Sequence, residues 1–150
     1  MKANIHIQHE DFDVADEIEA LTDAGPDAGA VASFIGLVRG DGGLVALTLE
    51  HYPGMTEREI GRIADEAAAR WRLTGATIIH RVGRLTVGER IVLVAAAAAH
   101  RRDAFEACQF LMDYLKTRAP FWKQEERDGG AAWVEARASD DDAAERWRRR

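Results

Sequence analysis

Residues 100–125, HRRDAFEACQFLMDYLKTRAPFWKQE, constrain the fold of this chain more than any other stretch. Ala104, Cys108, Leu111 and Leu115 recur at helical spacing and define a stripe to bury. Phe105, Gln109, Met112 and Lys116 form a second stripe, about 100° around the axis, mostly apolar and ending in a cation. Pro120 disfavours helical backbone at Ala119, so the helix is predicted to finish near Thr117 or Arg118. Lys116 then falls in the last turn, where the helix dipole favours positive charge. Phe121-Trp122-Lys123 leaves the break as an extended run. Two lysines with aromatics between them make an anion-binding wall, or else are ordinary solvated surface groups. Spacing alone leaves both open.

The remaining pattern reads as an α+β fold: a single domain, residues 1–150, with a mixed or antiparallel sheet and packed helices. Strands are predicted over 3–8, 29–38, 44–51, 76–82, 90–98 and 131–136. The alanine-rich run 90–98 also suits a helix, but Ile91 to Val94 and the preceding turn favour strand. Strands 29–38 and 44–51 are expected to pair as a hairpin across the glycine-rich loop after Arg39. Asp13 is a candidate N-cap for a helix through Val14, Ile18 and Leu21. Thr56, with Glu59 three residues on, matches a capping box for a helix that buries Ile60, Ile63, Ala64, Ala67 and Trp71. Gly83 to Glu89 reads as a connection, and Ser139 as the cap of a short helix over 140–147.

Composition excludes several functions. A net charge of −6 gives no general attraction to nucleic acid or anionic membrane, and RWRRR at the end is offset by Asp140 to Asp142. No apolar run is long enough to span a bilayer, and MKANIHIQHEDFD is no signal peptide, so a cytoplasmic location is expected. One cysteine, Cys108, excludes an intrachain disulfide; its place on the buried stripe makes it a core residue. The five histidines are scattered, and no metal-binding, GxSxG or dinucleotide-binding pattern occurs. A cationic set remains: Arg39, His100, Arg101, Lys116, Lys123 and Arg137. It suits a phosphorylated or carboxylate-bearing ligand, with arginines gripping oxygens and lysines acting as point charges or acid–base groups. A lysine among cations has a lowered pKa, which favours proton transfer near neutrality. Arg39 either pins an anion or is a solvated strand-end residue.

The strings SFIGLVRG, LTLEHYPGM, IIHRVG, AHRRDAFEACQFLMDYLKTRAPFWKQE and WVEAR resemble the large, catalytic subunit of molybdopterin synthase, over residues 29–147. The resemblance implies an α/β hammerhead fold and a sulfurtransferase without its own cofactor. The reaction it implies installs the dithiolene sulfurs of molybdopterin on cyclic pyranopterin monophosphate (precursor Z). Sulfur arrives on the C-terminal Gly-Gly thiocarboxylate of a small ubiquitin-like partner, whose tail threads into the large subunit. Two large subunits form a central dimer, with one small subunit at each end of a heterotetramer.

By position, the resemblance makes Lys116 and Lys123 the active-site lysines. Lys116 is expected beside the partner's terminal carbonyl, and Lys123 in substrate activation. Arg39, His100, Arg101 and Arg137 are implied to line the pterin-phosphate pocket, with His100 and Arg101 serving the neighbouring subunit. Phe34 and Met112 are implied to lie near the threaded tail. The loop after Arg39, GDGGLVAL, departs from the family pattern by being short. A non-catalytic anion-binding α+β module and a structural scaffold are the competing readings. Arginine at 116 would suit a binding module but not proton transfer.

Overall fold

The structure, a computed structural model, describes residues 1–23, 25–134 and 138–149. Its first sheet holds β1 (Asn4–Gln8), β2 (Ala30–Leu37), β4 (Gly75–Arg81) and β6 (Arg90–Ala98), in the order β1-β4-β6-β2. β1 runs parallel to β4; the other pairs are antiparallel. The second sheet is antiparallel throughout: β3 (Leu44–His51), β5 (Gly83–Thr86), β7 (Phe121–Arg127) and β8 (Gly130–Val134), in the order β5-β3-β7-β8.

Helices α2 (Met55–Trp71) and α3 (Arg101–Thr117) cover one face of the first sheet, and α1 (Val14–Thr22) covers the other. The predicted faces are the buried ones. Ile60, Ile63, Ala64, Ala67 and Trp71 of α2 meet Ala104, Cys108, Leu111 and Leu115 of α3 in one core with Ile78, Val94 and Ala96. Burying each large aliphatic or aromatic side chain here contributes about 1.5–3 kcal/mol. α4 (Ala138–Glu145) and a 3-10 turn, Arg146–Arg149, close the core with Trp147, which meets Trp71 and Phe110 edge to face.

β6 is a strand over the predicted residues, and its alanines are fully buried. Small side chains let both faces of this central strand be covered closely, which decides against their helix propensity. α3 then folds back antiparallel along β6: the Cys108 thiol, in mid-helix, lies 3.7 Å from the Val94 carbonyl in mid-strand. The C-terminus of α3 therefore returns to the Arg90 end of the sheet. Buried Arg81 ties that end together, donating to the carbonyls of His9 (3.0 and 3.1 Å) and Arg90 (3.0 Å).

Four expectations need correction. β2 and β3 are not a hairpin: β2 pairs with β6, whereas β3 turns away after Gly42 and Gly43, both at positive φ. Leu47 and Leu49 of β3 then pack with Val38 and Leu85 in a small second core. That core also explains β5 within the predicted connection, since Leu85 is buried opposite Leu47. The α2 cap lies two residues earlier than predicted, with the Gly54 N–H donating to Glu57 at 2.9 Å. Ser139 is inside α4, which begins at Ala138. The last strand ends at Val134, and residues 135–136 of the predicted run lie outside the described residues.

Candidate active site

α3 ends at Thr117, as the proline requires, and β7 begins at Phe121, so Lys116 and Lys123 flank a short turn. Lys116 is exposed in the last helical turn; Lys123 is half-buried opposite Leu49 of β3 and Val134 of β8. The turn is held from several sides. The Arg118 N–H caps α3 on the Tyr114 carbonyl at 2.7 Å. The Arg118 guanidinium donates to Glu59 Oε1 through Nε (3.1 Å) and Nη2 (3.0 Å), and reaches Glu66 at 3.5 Å. Thr56 Oγ1, fully buried, donates to the Pro120 carbonyl at 3.1 Å and accepts the Tyr52 N–H at 3.0 Å. Thr56 thus clamps the turn instead of capping its own helix.

Behind this turn is His80, which composition and spacing did not single out. Its ring lies flat on Phe121, with centroids 3.9 Å apart and planes 18° from parallel. Burial pushes the imidazole down to about 4, against the raising effect of its bond to the Arg81 carbonyl; Lys116 and His51 add nearby positive charge that lowers it further. His51, opposite Phe121 in the sheet register, has Nε2 3.8 Å from Glu57 Oε1. A histidine in an apolar strand reads as core, so only the β4–β7 juxtaposition could have revealed it.

The other predicted residues divide by location. Arg39 follows β2 at the Arg90 end of the first sheet, 71% exposed, and pairs with Asp41 at 3.3 Å. Arg127 of β7 anchors its loop by donating to the carbonyls of Asp41 and Gly42. Phe34, exposed on β2, folds over Gly36: a Cβ there would meet the Phe34 ring at 3.3 Å and Val92 at 2.8 Å. Met112 is half-buried, one helical turn before Lys116. His100 and Arg101 are exposed at the opposite, N-terminal end of α3. The helical rise puts them about 22 Å from Lys116, so one chain does not unite them with the lysines. Arg137 lies outside the described residues. Cys108 is buried, and burial pushes its thiol up to about 11. It is no nucleophile at neutral pH.

Fold and site define an α+β protein with two lysines flanking a clamped turn where a helix gives way to a strand. The chain belongs to the MoaE protein family, whose model matches residues 7–118. It is 61% identical over 147 residues to the molybdopterin synthase catalytic subunit of Mesorhizobium japonicum, covering 96% of this chain and 92% of that one. It is 53% identical over 146 residues to the subunit of the same name from Pseudomonas aeruginosa, covering 95% and 97%. The molybdopterin biosynthesis MoaE protein of Burkholderia ambifaria superposes with a TM-score of 0.85 at 52% identity, over 97% of each chain. A molybdopterin synthase structure from Staphylococcus aureus superposes at 0.80 and 31% identity, over 87% of this chain and 96% of that one.

Proposed function

We propose that this chain is the catalytic subunit of a molybdopterin synthase and that it works as a single domain in the cytoplasm. It transfers sulfur from the C-terminal thiocarboxylate of a small ubiquitin-like carrier to cyclic pyranopterin monophosphate. The observation that carries this reading is the pair Lys116 and Lys123 on either side of one clamped turn, in a chain of this family.

Each residue has a task that its chemistry allows. The Lys116 ammonium faces the carrier's terminal carbonyl. Once the carrier's sulfur is bonded to the pterin, water adds to that carbonyl, the acyl carbon–sulfur bond breaks and the carrier leaves as its carboxylate. Lys116 stabilises the oxyanion and moves a proton. Lys123 activates the pterin. Arg39, Arg137, His100 and Arg101 hold the phosphate and other anionic groups. Phe34 and Met112 line the path of the carrier tail. Because His100 and Arg101 lie one helix length from Lys116, a second copy of the chain supplies them, and each site of the central dimer is composite. Sulfur arrives on the carrier, so no thiol of this chain takes part.

The test is molybdopterin formation from the cyclic monophosphate and thiocarboxylated carrier. Lys116→Ala and Lys116→Arg should both lose at least about 100-fold in turnover, because arginine keeps the charge but does not exchange a proton. Near-normal turnover by both folded variants would end the catalytic reading. Full turnover by Lys116→Arg alone would restrict Lys116 to electrostatics.

A further inference from the structure

His80 lies on β4 at the end of the first sheet where α3 stops and β7 starts. Its ring nitrogens are distinguishable. Nδ1 lies 2.8 Å from the Arg81 carbonyl, which only accepts, so Nδ1 carries the proton. In the neutral ring Nε2 is then an acceptor. Its ring face covers Phe121, the first residue of the strand that bears Lys123. Two titratable groups act on it electrostatically, Lys116 of α3 and His51 of β3, and Glu57 of α2 lies beyond His51. A neutral, 8% exposed imidazole thus stacks on the first residue after the lysine turn and lies within electrostatic reach of Lys116 before it.

We propose that His80 is a positioning residue for the lysine pair: its Nε2 accepts from the Lys116 ammonium while its ring fixes Phe121, and through it the strand of Lys123. This rests on the catalytic role of Lys116 proposed above. An uncharged acceptor suits the task. A carboxylate there would neutralise the ammonium, and a cation would repel it. Stacking alone would hold the strand but not orient the amine, so the two functions separate by substitution.

The experiment uses the complete enzyme with thiocarboxylated carrier and compares His80→Phe, which keeps a ring, with His80→Gln, which keeps an acceptor. His80→Phe should lower kcat about 10- to 100-fold, with KM for the pterin within about twofold, because the amine is present but misdirected. His80→Gln should turn over several-fold faster than His80→Phe. In parallel, the imidazole ¹⁵N shifts of otherwise unaltered protein should report an Nδ1–H tautomer, and Lys116→Ala should raise the His80 titration by about half a pH unit or more. Wild-type kcat in His80→Phe, or a His80 titration unmoved by Lys116→Ala, would overturn the proposal, and the second measurement does not depend on either His80 variant folding. Normal turnover by Lys116→Ala would instead remove the catalytic reading itself. An inactive Lys116→Ala beside a fully active His80→Phe removes only the positioning role.

Discussion

Thr56 and Pro120 are 64 residues apart in sequence and joined by a hydrogen bond, from the Thr56 hydroxyl to the Pro120 carbonyl at 3.1 Å. The same hydroxyl accepts the Tyr52 N–H, so one buried oxygen links the start of α2 to the turn between the lysines. Thr56→Val keeps the shape but strands both backbone groups, and should cost about 1–3 kcal/mol. Urea unfolding measures this. Thr56→Ser should lose much less. A Thr56→Val protein as stable as the parent would mean that the clamp does not hold the turn.

His80 also makes the fold sensitive to acid. Its ordinary value of 6.5 falls to about 4 in the folded chain, chiefly through burial. Between these values the unfolded chain binds a proton that the folded chain does not, so stability rises with pH. This contribution is complete above 6.5 and is lost as pH falls toward 4, a change of about 3 kcal/mol. Asp11 acts lower down: its hydrogen bonds to Arg90 hold it at about 2, below its usual 3.8, and that contribution is lost as pH falls through this range. Urea midpoints at pH about 7 and about 4.5 should differ accordingly, and the difference should shrink in His80→Phe. Equal midpoints in the parent would contradict a buried neutral His80.

Cys108 should be inert. Its thiol is buried and held near 11 by desolvation, so little thiolate exists at neutral pH. A maleimide reagent should label the native protein at least about 100-fold more slowly than the urea-unfolded chain. Cys108→Ala should keep its turnover while losing about 1 kcal/mol of stability. Loss of sulfur transfer in that folded variant would mean that the Cys108 thiol takes part in the reaction.

Much of this architecture was legible in the sequence because its helices carry unmixed apolar stripes. Ile60 through Trp71 and Ala104 through Leu115 face the core as their spacing requires, and Pro120 ends α3 where steric exclusion demands. The pairing of β2 was not legible. An apolar strand can join either sheet, and the positive-φ glycines at 42 and 43 that redirect β3 suit a hairpin equally well. Thr56 misled because S/T-x-x-E also occurs where the hydroxyl bonds to a distant carbonyl. At the site, Lys116 and Lys123 stood out because they bracket a helix break. His80 did not, because its meaning comes from Phe121, 41 positions away. The ends of α3 set the remaining limit: helical rise alone separates His100 from Lys116.

That separation gives the most direct test of the account, which holds that each site takes its lysines from one chain and His100 with Arg101 from another. His100→Ala and Lys116→Ala homodimers, each inactive, are unfolded and refolded together in equal amounts, then assayed with thiocarboxylated carrier. Half the dimers are then mixed, and each mixed dimer has one intact site, so about a quarter of wild-type turnover should return. No recovery, with mixed dimers verified by mass, would contradict a shared site.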